Sequence, residues 1–510
     1  MKTIIDIYKK SLYVAVLALL SVIMAACNDD DHASPVITQI RNYAAAPNDT
    51  IVSSVNPGQW IVLQGGNLGT VTGITFCSVP ADIKSGLFAD DNLVVQVPEI
   101  AYDQIMPGDL NVIRAFNGDG ATEFQIDIIG APLITHIRSM ESAPNDTVLG
   151  SLIPGQQVNI IGYNLKNPQS IAFMGIDADL STAQYTDSSV IVTVPKNLAG
   201  GDPTMMNTVS YTTEVGTGNY AIKIYGPPVV LSVSYEFPHE GDIVYLYGSN
   251  LTKIRRITFA GAEVKQIEEQ PGGMSVKIVA PALDGSGPLE VEALGGKFTS
   301  AFNVNDLKTG ILSDFEWEGS FQWEWWGGAN LGTGETGIDW PPYCPEYVGA
   351  TGMFLFTEFG KQDSGAGDNA STAIRIPEMQ WVPENNMSDP VSSWVLKFEI
   401  NVSKDWNGST LCIQSGEAGY MFRYEPWQVT PTKTKDYKTD GWQTVTIPLS
   451  EFRAKDVTSG EGKGAPVETL AALLGPAGKS ALFLYTHNYG TAQSKTGFYA
   501  AFDNFRVVKR

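Results

Sequence analysis

The chain has 510 residues, of which 43% are hydrophobic, and a formal net charge of −22. This length exceeds one ordinary core and predicts about three to five domains. The acidic charge repels phosphate backbones and argues against nucleic acid as a partner, whereas a neutral ligand meets no such obstacle. The four cysteines are too few for a disulfide framework. Cys344 and Cys412 either pair or stay separate thiols, because spacing alone does not decide between the two.

Residues 1–27 have the features of a processing segment rather than of a folded domain. After a basic start, Leu12–Ala26 is an apolar run of 15 residues, shorter than the roughly 20 that span a membrane. The segment resembles a bacterial lipoprotein signal in which Cys27 carries the lipid. Met24 departs from that pattern, so a plain secretory signal stays open. The acidic stretch in residues 28–33 resembles a surface-export signal and also suits a solvated linker.

One sequence pattern then occurs three times, which predicts repeated domains. In each copy an alternating strand ends in Gly-x-Asn-Leu, and a second short strand follows. The glycine, at Gly65, Gly162 and Gly248, is expected to take backbone angles that other residues resist. The asparagine two positions later is expected in a turn, because its side chain bonds the local backbone. The copies are PGQWIVLQGGNL at 57–68, PGQQVNIIGYNL at 154–165 and EGDIVYLYGSNL at 240–251.

Short strands at this spacing, with no helical period, predict antiparallel sandwiches of about 80 to 100 residues. The pattern resembles the IPT/TIG immunoglobulin-like domain. Proline-rich joints separate the copies and stiffen the chain, so three sandwiches in a row suggest a stalk. The predicted domains are residues 34–130, 131–226 and 227–307.

The composition changes in residues 308–510, which contain ten of the eleven tryptophans. Strand patterns continue, and Trp394–Val402 alternates so cleanly that Trp394 is assigned to the core. The segment Pro466–Gly475 is the one predicted helix. About 200 residues of strands and turns predict a jelly-roll-like β-sandwich. The expected fold class is therefore all-β: tandem immunoglobulin-like sandwiches followed by a jelly-roll-like sandwich.

Catalytic and metal-binding motifs are missing from the sequence. The histidines are isolated, and no Gly-x-Ser-x-Gly, His-Glu-x-x-His or Cys-x-x-Cys occurs. A glycosidase needs two carboxyl groups across a cleft. Glu316 and Glu318 are instead typical of the solvent-exposed face of a strand. No cofactor is predicted; a structural calcium held by carboxylates near Asp503 stays open, because jelly-roll carbohydrate-binding modules often carry one.

Exposed aromatic rings are the main functional signal of this domain, since a sugar ring stacks on the face of an indole or phenol. From Phe315 to Trp325 the odd positions are apolar, which predicts a strand with that face in the core. Other aromatic residues lie next to glycines, in proline-rich loops or at a hairpin tip, where exposure to a ligand is expected. The predicted glycan-binding residues are Trp325, Trp326, Trp340, Tyr343, Trp381, Trp406 and Trp427.

The lipid cysteine, acidic run, tandem repeats and tryptophan-rich C-terminal domain together resemble a Bacteroidetes cell-surface glycan-binding protein of a polysaccharide-utilisation system. The resemblance implies a non-catalytic protein, anchored at the outer membrane through Cys27, that works beside an outer-membrane transporter and its lipoprotein partner. It implies capture of a neutral plant polysaccharide, with β-glucan or xyloglucan favoured. A surface hydrolase or lyase and an adhesive stalk protein are the alternatives.

Overall fold

The computed structural model describes residues 33–142, 145–200, 205–324, 328–347, 349, 352–416, 419–456 and 460–510. Two compact units are present: one holds the residues up to Gly150 with 155–196 and 207–222, and the other holds 151–154, 197–206 and 223–510. The described chain is almost entirely β-structure, which confirms the all-β prediction. Within these ranges no helix has the length and apolar character needed to cross a membrane. The domain boundaries given above stay predictions.

The strands before residue 130 form two antiparallel four-stranded sheets, in the orders β1-β3-β7-β6 and β5-β4-β8-β9, and a short parallel pair, β10-β2. Alternate side chains of these strands meet in one apolar core. The strands are β1 (Val36–Asn42), β2 (Ser54–Val55), β3 (Trp60–Gly66), β4 (Gly73–Phe76), β5 (Val79–Pro80), β6 (Leu87–Phe88), β7 (Asn92–Gln96), β8 (Val112–Phe116), β9 (Ala121–Gln125) and β10 (Asp127–Ile128).

The next strands repeat this plan. One sheet has the order β11-β13-β17-β16, and β14 pairs with both β15 and β18, which in turn pairs with β19. The strands are β11 (Leu133–Ser139), β12 (Ser151–Leu152), β13 (Gln157–Tyr163), β14 (Ser170–Phe173), β15 (Ile176–Asp177), β16 (Gln184–Tyr185), β17 (Ser189–Thr193), β18 (Asn207–Thr212) and β19 (Thr217–Ile224).

The third copy, here called the third sandwich, consists of the sheets β20-β21-β25-β24 and β23-β22-β26-β27 around its own core. Its strands are β20 (Val229–Val233), β21 (Ile243–Ser249), β22 (Ile254–Phe259), β23 (Ala262–Glu263), β24 (Ile267–Glu269), β25 (Ser275–Val279), β26 (Gly287–Ala293) and β27 (Gly296–Val304).

The repeated glycine has a different role from the one predicted. Gly65, Gly162 and Gly248 do not adopt positive φ angles. Each lies instead against the backbone of the neighbouring strand, where a Cβ would come within 1.7 to 1.9 Å of a carbonyl oxygen. Close approach of two strands, at a register shift, therefore requires glycine here. The repeated asparagines do take the left-handed conformation expected of a turn, and these are Asn67, Asn164 and Asn250.

The C-terminal domain is a sandwich of two large antiparallel sheets. One has the order β29-β30-β40-β32-β37, with β28 also paired to β40, and the other has the order β31-β39-β33-β34-β38. The helix α1 (Leu470–Leu474) lies inside the predicted segment, with Thr469 as N-cap and Gly475 at positive φ after it. The strands are β28 (Ile311–Ser313), β29 (Ala329–Thr333), β30 (Met353–Phe359), β31 (Gly367–Gln380), β32 (Trp394–Val402), β33 (Thr410–Ser415), β34 (Tyr420–Tyr424), β35 (Gln428–Thr430), β36 (Lys433–Thr434), β37 (Gln443–Pro448), β38 (Arg453–Ala454), β39 (Lys479–His487) and β40 (Phe498–Lys509).

Strand β32 is buried on both faces, although its sequence alternates. Its apolar face, which starts with Trp394, lies in the domain core as predicted. Its other face carries Lys397 and Glu399, which are each 1% exposed because the third sandwich covers them. Val395 and Val508 also pack into the core of the third sandwich. The third sandwich and the C-terminal domain therefore share one sealed interface.

Four charged side chains form a network at the centre of this interface. Glu236 of the third sandwich pairs with Lys397 and, at 2.7 Å, with Arg506. Arg506 also pairs with Glu399 at 2.8 Å. Burial alone would raise the pKa of Glu236, but Lys397 and Arg506 outweigh it and hold that pKa below its ordinary value. Two carboxylates and two cations thus compensate one another out of contact with water.

Three predicted ligand-binding tryptophans belong to the core, so their predicted exposure is corrected. Trp381, Trp406 and Trp427 are 1%, 0% and 7% exposed. The indole N–H of Trp381 donates to the Ser480 carbonyl at 2.9 Å, and those of Trp406 and Trp427 both donate to the Ser409 carbonyl, at 2.9 and 3.0 Å. A polar loop sequence surrounds each of them, yet these bonds hold the rings inward.

We expect Lys397→Met to lower the free energy of unfolding by about 3–5 kcal/mol, because it leaves Glu236 and Glu399 with one buried cation between them. Urea unfolding of the full chain measures this change. The control is Lys297→Met, since Lys297 is 74% exposed and pairs with Glu292 at 3.2 Å; this variant should change stability by less than about 1 kcal/mol. Equal effects of the two substitutions would contradict the role assigned to the network.

We expect Trp406→Ala to cost about 3–5 kcal/mol of stability, because it empties a fully buried site and leaves a carbonyl short of one donor. The loss should appear in thermal and urea unfolding. Val429→Ala, at a position that is 53% exposed, should change stability by no more than about 0.5 kcal/mol. A Trp406→Ala variant as stable as the parent would show that this ring is not part of the core.

Candidate functional site

Three large aromatic side chains are exposed together at one edge of the C-terminal domain. Trp317, Trp340 and Tyr343 are 53%, 54% and 47% exposed. The ring centroids of Trp317 and Trp340 are 6.0 Å apart, and the ring planes differ by 23°. Trp317 also stacks on Phe321 at 4.1 Å, with planes 20° apart. Trp317, Trp340 and Tyr343 are called the aromatic patch below. The patch thus includes two nearly parallel indoles, and Phe321 packs against one of them.

A tight turn, rather than the predicted strand, positions Trp317. The backbone N–H groups of Glu316 and Ser320 donate to Asp314 Oδ1 at 3.0 and 2.7 Å. A Cβ on Gly319 would lie 2.2 Å from the Asp314 carboxylate, so the turn needs glycine there. Because residues 314–320 curl around this carboxylate, the two-residue alternation fails and Trp317 faces solvent instead of the core.

A proline-containing loop carries the rest of the aromatic patch. Thr333, at the end of β29, closes the loop: its N–H donates to the Pro342 carbonyl at 3.1 Å, and its carbonyl accepts from Cys344 N–H at 3.0 Å. Most residues between are exposed, although Pro341 is buried, and Ile338 adds apolar surface at 44% exposure. The prolines after Trp340 keep the segment out of the sheet, as the sequence predicted.

Carboxyl groups surround the aromatic patch. Glu316 is half-buried, and its Oε1 accepts a hydrogen bond from Met353 N–H at 2.6 Å. Burial raises the pKa of Glu316, and the nearby Asp314 and Glu335 add to the rise. The neighbours Glu318, Glu335 and Asp339 are exposed. Rings for stacking and oxygens that accept from hydroxyl groups are the elements that a neutral saccharide needs.

The structure brings together only part of the predicted set of glycan-binding residues. Trp340 and Tyr343 are exposed in one loop, whereas Trp381, Trp406 and Trp427 are core residues. Trp325 and Trp326 lie outside the described residues, as do Cys27 and the acidic linker up to residue 32. Trp317 was assigned to a core face by alternation and was missed. The sequence Asp-Phe-Glu-Trp-Glu-Gly-Ser carried the relevant signal, an aspartate followed by a glycine five residues later.

The two cysteines of the domain form no disulfide, and its described acidic groups form no metal-binding cluster. Cys344 and Cys412 are both free and buried, which resolves their pairing in favour of separate thiols. Burial raises the pKa of the Cys412 thiol to about 12, so it stays protonated. In the part of the chain that the structure describes, including the surroundings of Asp503, no three His, Cys, Asp or Glu side chains are placed to hold a metal ion.

The domain and the whole chain are similar to proteins of known kind. The family model of the surface glycan-binding protein B xyloglucan binding domain matches residues 304–509. An IPT/TIG domain-containing protein of Bacteroides ovatus is 24% identical over 519 residues, which cover 96% of this chain and 95% of that protein. These findings confirm the resemblance to surface glycan-binding proteins with IPT/TIG domains.

One solved structure is similar in fold, and a second matches with a lower TM-score. A crystal structure with a xylogluco-oligosaccharide is 21% identical, with a TM-score of 0.51 and coverage of 94% of this chain and 100% of that chain. The surface glycan-binding protein PbSGBP-B of Prevotella bryantii is 19% identical, with a TM-score of 0.42 and coverage of 74% and 99%. The matched domain contains all three residues of the aromatic patch. The family model of the surface glycan-binding protein B xyloglucan binding domain therefore covers nearly the whole C-terminal domain of this chain.

Proposed function

We propose that this chain is a non-catalytic cell-surface protein that captures a neutral β-glucan, with xyloglucan favoured, on the aromatic patch of its C-terminal domain. The observation that carries the proposal is the pair of nearly parallel, half-exposed indoles of Trp317 and Trp340 in a domain of this family. A solved structure of similar fold contains a xylogluco-oligosaccharide. Stacking needs no charge from the ligand, which agrees with a protein of net charge −22.

The contacts of the nearby carboxyl groups favour binding over hydrolysis. Asp314 Oδ1 and Glu316 Oε1 both accept backbone hydrogen bonds that hold the turn and the end of β30 in place. A glycosidase requires an acid and a second carboxyl group that are free to approach the glycosidic bond from opposite sides. The carboxyl groups beside Trp317 therefore serve as supports and hydroxyl acceptors in this proposal.

Capture at the cell surface follows from the proposed anchor. In this proposal Cys27 carries a lipid, the three sandwiches space the C-terminal domain from the outer membrane, and an outer-membrane transporter with its lipoprotein partner receives the glycan. Stable anchoring of a soluble protein at a membrane takes two signals, such as two acyl chains. Several weak contacts along one polysaccharide act together, so the affinity rises with chain length.

We expect Trp317→Ala and Trp340→Ala each to weaken xyloglucan binding about tenfold or more, because each removes a large stacking surface. Tyr343→Ala should weaken binding less, since its ring is smaller. Isothermal titration of the full chain with soluble xyloglucan measures the affinities, and unfolding midpoints equal to that of the parent show that the variants fold.

The matched control is Tyr247→Ala, because Tyr247 is 45% exposed on the third sandwich, close to the 47% of Tyr343. This variant should bind like the parent. Binding that survives in both tryptophan variants would place the site elsewhere. A parent that binds no soluble polysaccharide would favour the adhesive alternative, and release of reducing sugar from xyloglucan would favour the enzyme.

A further inference from the structure

A cavity of about 370 Å³ lies in the second compact unit, where the third sandwich meets the C-terminal domain. Phe237 and Ala282 line it from the third sandwich, and Glu316, Trp442 and Asp503 line it from the C-terminal domain. The cavity is large enough for a single sugar ring, and it combines aromatic walls with a few carboxyl groups. Sites for small polar ligands commonly have this composition.

The cavity and the aromatic patch are parts of one local structure. Asp314 and Glu316 line the cavity, and Trp317 is the next residue of the same turn. The Asp314 carboxylate holds that turn closed through two backbone N–H groups. A ligand that lies on Trp317 is therefore one residue away from the wall of the cavity.

Asp503 contributes a carboxyl group to the lining of the cavity. Its side chain is 7% exposed, and its Oδ1 accepts a hydrogen bond from Asn504 N–H at 2.8 Å. Within the described ranges, no group donates a hydrogen bond to Oδ2. Burial raises the pKa of Asp503 well above its ordinary value, and the Glu399 carboxylate adds to the rise. Oδ2 is therefore open to a hydrogen bond with a ligand hydroxyl group.

The occupant that fits this cavity is neutral. Among the described residues no three carboxyl, imidazole or thiol groups are spaced to hold one metal ion. The lining includes Asp503 and Glu399, which are 7% and 1% exposed. A volume of about 370 Å³ accommodates one sugar unit rather than a continuing polysaccharide chain.

We propose that this cavity receives one neutral sugar unit that branches from a glucan chain lying across Trp317 and Trp340. The proposal rests on the proposed function. In it, the cavity is the part of the protein that distinguishes branched from unbranched glucan chains. Asp503 and Glu316 offer hydrogen bonds to the hydroxyl groups of the branch, and Trp442 and Phe237 offer apolar contact.

The test compares two probes that share a backbone length: a xylogluco-oligosaccharide, which has branches, and the corresponding cello-oligosaccharide, which has chain ends only. Ala282 is exposed at the cavity wall, so Ala282→Phe should fold and obstruct the cavity. Leu307→Trp obstructs it at a second lining position, which is 50% exposed. Ala301→Phe is the matched control, because Ala301 is an exposed alanine of the same sandwich outside this cavity.

In isothermal titration with the full chain, both obstructing variants should bind the branched probe about tenfold more weakly and the unbranched probe as the parent does. Ala301→Phe should bind both probes like the parent. If both obstructing variants leave the branched probe unaffected, or weaken both probes equally, the cavity does not hold a branch, and the proposed function still stands where Trp317→Ala weakens both probes. A parent that binds neither probe overturns the proposed function and the branch site together.

Discussion

The architecture around the candidate site depends on four buried charges. Glu236 comes from the third sandwich, whereas Lys397, Glu399 and Arg506 come from the large sheet of the C-terminal domain. An ion pair removed from water is stabilising only when every charge is compensated and hydrogen-bonded. The third sandwich is therefore required at this place and in this orientation, because the polar face of β32 has no other cover. The cavity exists because these two bodies are held together in this way.

The aromatic patch lies on a turn and a loop, and hydrogen bonds to neighbouring residues fix the positions of both segments. Trp317 is placed by hydrogen bonds to Asp314, and the loop of Trp340 is closed by Thr333 at the end of β29. Rings that are already in position lose little freedom when a ligand binds, so more of the stacking energy appears as affinity. A net charge of −22 is compatible with such a surface, since a sugar ring brings no charge to it.

Sequence patterns predicted the fold class well because repeats and alternation are local signals. Three copies of one sequence pattern predicted the sandwiches, and the predicted bounds of β32 match those of the structure. The site was predicted less well, since exposure of a tryptophan is a tertiary property. Trp406 follows loop-like residues yet donates its N–H to a carbonyl inside the domain, and Trp317 follows an alternating pattern yet lies on a turn. The buried polar face of β32 was also beyond prediction, because its cover comes from residues about 160 positions earlier.

Affinity and selectivity come from different parts of this surface. Stacking on an indole tolerates many sugars, because every pyranose offers a face of C–H groups. Selectivity requires polar groups that are left unpaired when the wrong ligand binds. The exposed carboxylates near Trp340 are hydrated in either case, so they discriminate weakly. Asp503 is buried, and its Oδ2 receives no hydrogen bond from the described residues, so a correctly placed hydroxyl group adds a bond there. The power to distinguish glycans should therefore lie in the cavity next to Trp317 more than in the rings themselves.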